Sequence, residues 1–267
     1  MSCERDITLD IVQPEQQIVV EGIVENDRQV SVILSKNLPF IGVIDTAALT
    51  PYFVNNAEVT VECDNKIYTL RQIDPSFPFY FSPELFGEIG KVYNLKVVVE
   101  NKVITATTRI LQPIALDSIF TEEVENRPGF YRLSVTLNDP PILGNYYRAM
   151  TKLIEQQNYD TDFQSVYDDN LVNGKKFDFT INNGKSNLSD STDFETYGFF
   201  KKGDIVDLRW SVITKDHFDF WRTVERQGSS AGNPFSAPLK IKSNINGGIG
   251  IWGSYANANY RVFVGAE

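Results

Sequence analysis

Apolar and polar residues alternate over most of the chain, and this period-two pattern predicts strands far more often than helices. Residues 18–24 and 29–34 alternate on either side of the polar turn Glu25-Asn26-Asp27-Arg28, which predicts a first hairpin. Between residues 57 and 63 the odd positions are apolar and the even ones polar. Val59, Val61 and Cys63 are therefore expected to point into a core. Asp64-Asn65-Lys66 turns that strand into residues 67–70, and Glu100-Asn101-Lys102 joins residues 91–99 to 103–108. The stretches 35–56 and 75–86 carry prolines and mixed composition and are expected as long connections. About seven strands up to Ile110 suffice for one immunoglobulin-like sandwich.

Gln112-Pro113-Ile114 is the expected boundary, because proline ends a strand and removes a ladder donor. A second β-rich unit follows. Residues 130–137 alternate, Asn138-Asp139-Pro140-Pro141 breaks the pattern, and residues 145–153, 176–181 and 204–213 read as further strands. The Asn/Ser/Gly/Asp-rich residues 182–193 are expected as an exposed loop. Periodicity changes once: Thr214 can cap a helix in which Phe218, Trp221 and Val224 share a face, and Gly228 can close it. The expected organisation is a tether over 1–14, an immunoglobulin-like sandwich over 15–112, and a second β-rich, sandwich-like domain over 113–267 with a main helix at 214–227.

After that helix comes the most idiosyncratic stretch. Asn233-Pro234-Phe235 precedes Ser243-Asn244-Ile245-Asn246-Gly247-Gly248-Ile249-Gly250-Ile251-Trp252-Gly253. Apolar side chains and open backbone coincide there, which suits a strand in close approach to another backbone or to a ligand. Asn233, Phe235, Asn244, Trp252 and Tyr255 are the candidate contact residues, although core packing is the competing expectation for Trp252.

Composition narrows the classes. With 267 residues, 42% hydrophobic and 22% charged, the chain can bury a sizeable core. A net charge of -10 and a pI near 4.7 disfavour nucleic acid and anionic membrane surfaces. No apolar run reaches the ~18 to 20 residues that a bilayer-spanning helix needs. Of the two cysteines, Cys63 reads as a small buried hydrophobe. Cys3, between Ser2 and Glu4, has the setting of a lipid-accepting cysteine behind a small residue, with an accidental cysteine as the alternative.

Candidate chemistry is sparse. One histidine, His217, leaves no imidazole for a His-based metal site and no partner for a cysteine–histidine dyad; it reads as a surface or satisfied residue. Asp160, Asp162, Asp168 and Asp169 could offer oxygens to calcium but do not follow the EF-hand loop. Gly247-Gly248-Ile249-Gly250 lacks the lysine of a phosphate-binding loop. No metal or cofactor is expected, and a paired-carboxylate hydrolase stays open as a minor alternative.

Taken together these blocks resemble the Bacteroidota lipoproteins catalogued as domain of unknown function 4249. The resemblance runs nearly end to end, through Cys3-Glu4, Val19-Val20-Glu21-Gly22-Ile23-Val24, Val32-Ile33-Leu34-Ser35-Lys36, Tyr93 and Leu95, Asn145-Tyr146-Tyr147-Arg148, and above all the Asn233 and Ser243 blocks. It implies an outer-membrane protein anchored by a lipid on Cys3, often encoded beside a TonB-dependent receptor, and it supplies no catalytic residues. The resulting expectation is a non-enzymatic accessory binding subunit of such a transporter, with an unknown small-molecule or glycan ligand and no nucleic-acid partner. A structural or adhesive surface protein is the alternative, and a carbohydrate hydrolase the third.

Overall fold

In the computed structural model the described residues are 15–38, 49–184, 195–230 and 239–266. The tether, Cys3, Asn233, Phe235 and most of the loop after Asn182 lie outside them. The protein is mainly β. Seven strands precede residue 112: β1 (Ile18–Glu25), β2 (Gln29–Lys36), β3 (Glu58–Cys63), β4 (Lys66–Gln72), β5 (Phe79–Phe86), β6 (Val92–Val99) and β7 (Lys102–Arg109). Their turns are built by residues that tolerate positive φ: Asp64 and Asn65 sit at 51° and 61°, Glu100 and Asn101 at 49° and 60°. Val59, Val61 and Cys63 point inward as the alternation predicts, and burial pushes the Cys63 thiol pKa up.

One connection proves to be a strand. Residues 79–86 form β5, which pairs with both β2 and β4. Its proline, Pro83, falls where the β2–β5 register shifts between Gln29 and Ser31. A bulge is where a strand accepts a residue without an N–H donor.

The second unit contributes β8 (Ser118–Glu123), β9 (Phe130–Asn138), β10 (Tyr146–Leu153), β11 (Val166–Asp168), β12 (Lys176–Ile181), β13 (Phe200–Lys201), β14 (Ile205–Ile213), helix α1 (Lys215–Ser230) and β15 (Ile249–Phe263). Strand β9 is flanked by β8 on one side and by β12 and β13 on the other. This small sheet faces the larger one through aromatic packing: Trp210 of β14 lies 4.9 Å from Tyr147 of β10 and 5.4 Å from Phe179 of β12, centroid to centroid. Helix α1 starts as expected, with Thr214 Oγ1 accepting from the His217 N–H at 3.4 Å. It does not stop at Gly228; that glycine is helical and the helix runs to Ser230. Among the described residues no helix is long and apolar enough to cross a membrane.

The glycine-rich stretch joins the two units. Strand β15 pairs antiparallel with β14 through residues 255–263 and parallel with β1 through residues 249–255. The large sheet therefore runs unbroken as β11-β10-β14-β15-β1-β2-β5-β4-β3-β6-β7. Its far edge, β7, bridges back from Thr105 to Asn246, three residues before β15 begins. Two glycines permit this closure. Gly250 has φ +116°, and a Cβ there would stand 2.0 Å from the Val20 carbonyl oxygen. At Gly22 a Cβ would meet the Trp252 ring at 2.3 Å, so the indole occupies the space a side chain would need. Trp252 is wholly buried and donates from Nε1 to the Tyr93 carbonyl at 2.9 Å. The expected outcome of Gly22→Ala is a loss of about 1–3 kcal/mol by overpacking, read from urea unfolding. In the background of Trp252→Leu the same alanine should cost less; strictly additive losses would show that the two positions do not compete for space.

Candidate functional site

The three described candidates from the glycine-rich block serve the fold rather than an open surface. Asn244, ahead of β15, clips that strand: its Oδ1 accepts from the Trp252 N–H and its Nδ2 donates to the Trp252 carbonyl, both at 2.9 Å. Trp252 fills the core under Gly22, and Tyr255 is buried beneath α1. Glycine allowed close approach here, as the composition suggests, but the approaching groups are Val20 and Trp252 of the protein itself. Packing thus corrects the expectation that these side chains face a ligand.

Around Tyr255 lies a polar cluster whose assembly the sequence pattern did not show. Arg148, in β10, is buried; its Nη1 donates to the Tyr255 hydroxyl, its Nε to Ser165 Oγ at 3.2 Å, and its guanidinium lies 3.7 Å from the centroid of Trp221 of α1. Ser165 passes the connection on, donating from its hydroxyl at 2.5 Å and from its backbone N–H at 3.0 Å to Glu225 of α1. Burial raises the Glu225 pKa, and the hydrogen bonds from Ser165 and the Arg148 charge work against that rise. Three elements and the residue ahead of β11 thus meet through one guanidinium, which is what makes a buried charge tolerable.

His217 sits in the same layer. It is buried, its ring centroid is 4.5 Å from that of Tyr255, and its Nδ1 lies 3.0 Å from the Ser254 carbonyl oxygen. A carbonyl only accepts, so the proton resides on Nδ1. Burial, reinforced by the Arg148 charge, pushes the imidazole pKa down to about 3. A histidine so depressed stays neutral at physiological pH and cannot exchange protons there. Ser165 is equally unsuited to attack, since its hydroxyl is buried and both donates and accepts.

The aspartates weighed as calcium ligands are otherwise engaged. Asp162 accepts from Asn182 Nδ2 at 2.7 Å and from the Tyr197 hydroxyl at 2.6 Å; buried Asp169 accepts backbone N–H groups of Gly144 and Asn145. Among the described residues no group of three His, Cys, Asp or Glu side chains is placed to hold a metal ion.

Two concavities flank α1. A polar one of about 480 Å³ is lined by Asp168, Arg222, Glu225 and Arg226, among others; Arg222 Nη1 stands 3.4 Å from Asp168 Oδ2. The other, of about 550 Å³, is a groove between α1 and the β1–β15 pair. Val19 and Ile249, neighbours in that parallel pair, Phe220, Trp221 and Val224 of α1, and Ile241 make it largely apolar, with Glu21 and Lys240 at its polar margin. Of the two, the apolar groove has the size and lining of a ligand site.

His217 generates a pH prediction. Between pH 6.5 and about 3 the unfolded chain binds a proton at this residue and the folded chain does not, so stability falls as pH drops through that window. The expected slope from this residue is about 1.4 kcal/mol per pH unit below 6.5. Urea unfolding at pH 7.5, 6.5 and 5.5 should show it, and His217→Asn should flatten it; equal slopes for both proteins would contradict the assignment.

None of the curated proteins compared with the chain matches it. Among solved structures, a two-domain fibronectin type-III segment from chicken tenascin is 11% identical and covers 75% of this chain and 92% of its own, with a TM-score of 0.22. A likeness at that score carries no argument. The family comparison is decisive: the model described as Domain of unknown function (DUF4249) matches residues 4–261, and the chain belongs to that family.

Proposed function

We propose that this protein is a non-enzymatic binding subunit, anchored to the outer membrane through a lipid on Cys3 and acting beside a TonB-dependent transporter. The observation that carries the reading is the apolar groove of about 550 Å³ where α1 meets the β1–β15 pair. It lies where the C-terminal helix and strand meet the first strand of the chain, and its volume is that of a small-molecule site. A spacer or adhesive stalk needs no such groove. Aliphatic floor and aromatic wall suit an apolar small molecule. The polar clusters support binding over catalysis: His217 is held neutral, Ser165 is saturated, and the Glu225 and Asp168 carboxylates are engaged by Ser165 and Arg222. That engagement also weakens the paired-carboxylate hydrolase. Membrane attachment rests on the setting of Cys3 and on the family resemblance.

Purification of the tagged full chain from native membranes should recover a TonB-dependent receptor with it, and Cys3→Ser should move the chain to the soluble fraction. Repeated recovery of the chain alone would overturn the transporter reading. For the groove, Val224→Trp should lower the fluorescence of bound 8-anilinonaphthalene-1-sulfonate by about tenfold at fixed dye, the ratio set by roughly 1.4 kcal/mol of lost affinity, without lowering the melting temperature. Unchanged dye binding would place the apolar site elsewhere.

A further inference from the structure

Two loops at one end of the second unit hold large aliphatic side chains out into solvent. The loop between β9 and β10 carries Ile142 and Leu143, 72% and 63% exposed; the loop between β11 and β12 carries Leu171, 89% exposed. Exposed aliphatic residues scattered singly are ordinary. These are neighbours, because the loops are strapped to each other reciprocally. Asp139, at the start of the first loop, accepts from the Gly174 N–H of the second at 3.1 Å and from the Tyr147 hydroxyl. Asp169, at the start of the second, accepts from the Gly144 and Asn145 N–H groups of the first at 2.8 and 2.9 Å. Both carboxylates are buried, at 3% and 1% exposure.

Further bonds stiffen the pair. Asp139 N–H donates to the Lys175 carbonyl at 3.1 Å and Asn145 Nδ2 to the Ile142 carbonyl at 2.8 Å. Val172 and Asn173 both donate to the Asp169 carbonyl. Two carboxylates have been taken out of water at considerable cost, and what they hold in place is not a core. They hold three apolar side chains away from one.

We propose that this tip is a preorganised anchor that seats in an apolar socket of a partner protein. Rigid, protruding side chains lose little entropy on docking, which is how a few residues come to dominate an interface. The surroundings favour protein over lipid. Asn145, Asn170 and the exposed Lys175 border the tip with polar groups, and neither loop carries the Trp or Tyr that marks a membrane-interface anchor. A polar rim around an apolar centre is the anatomy of a protein interface. They also argue against a second copy. Tip-to-tip pairing would bury little beyond these side chains, well short of the ~800 Å² per partner of a standard interface.

The test uses the full chain in its native host, with p-benzoylphenylalanine at position 143 or 171. Irradiation should give one discrete protein adduct from both positions and none from position 73, where Ile73 is 71% exposed in the first unit. The adducted protein, purified, should bind the wild-type chain and lose at least about tenfold in affinity to Leu171→Asn, a loss of roughly 1.4 kcal/mol, with the melting temperature unchanged. No adduct from either position overturns the proposal. So does flotation with phosphatidylethanolamine/phosphatidylcholine vesicles that Leu171→Asn abolishes, or a sedimentation dimer that the same change dissolves. An adduct with a protein that is not a transporter would leave the anchor standing and remove the transporter reading, so the two fail separately.

Discussion

The parallel pairing of β15 with β1 is the constraint on which the rest of the architecture depends. A C-terminal strand lies beside the first strand of the described residues, and its register is fixed by backbone approach at Gly250 and by the Trp252 indole seated over Gly22. A one-residue slip would turn Trp252 out of the core and bring Ile251 over Gly22. The same strand continues into the ladder with β14, so the register that closes the first unit also sets the second. Glu25, at the end of β1, reinforces the joint by accepting from Arg209 of β14 at 3.1 Å and from Asn257 of β15 at 3.2 Å. One buried cluster of apolar side chains follows, running from Val20 through Trp252 to Trp210 without a break between the units. Folding of the two units is thereby linked through contacts of very long sequence separation, which are slow to form.

Much of the strand pattern was legible because most strands have one buried face, and alternation records that directly. Cys63 and its neighbours are the clear case. Strand β5 was not legible, since Pro83 and a run of aromatics read as a connection, and the bulge opposite Gln29 and Ser31 that accommodates the proline leaves no signature in the sequence. Strand β8, Ser118–Glu123, is short and mostly polar, and β13 is two residues long; neither has enough periods to register. The overrun of α1 past Gly228 has a similar cause. Glycine is only mildly unfavourable in a helix, so it signals an end without enforcing one.

The site was less legible than the fold. Composition could say that one histidine and two cysteines make poor catalytic material, but it could not say that Arg148, Ser165 and Glu225 meet, because they are brought together by β10, the turn into β11 and α1. Arg148 did stand in a recognisable block, Asn145-Tyr146-Tyr147-Arg148, and the structure gives two of its members distinct jobs: Tyr147 packs on Trp210 while Arg148 gathers the polar layer under α1. Asp169 shows the limit most plainly. As a sequence, Asp168-Asp169-Asn170 offers oxygens to a cation; in the fold, Asp169 takes N–H groups from a loop about 25 residues away.

What the glycine-rich stretch contributes to binding is consequently indirect. Among its described candidates Trp252 and Tyr255 are buried and Asn244 is spent on the Trp252 backbone, yet Ile249 and Gly250 lie along the apolar groove beside Val19 and Val20. The strand pair that joins the units therefore also carries the groove's floor, and α1, which supplies the opposite wall, is tied to β10 and β15 through the buried Arg148 layer. A ligand in the groove would touch β1, β15 and α1 at once. Any change that loosened the β1–β15 register would thus deform the groove, because that register sets where the Val19 and Ile249 side chains of its floor stand.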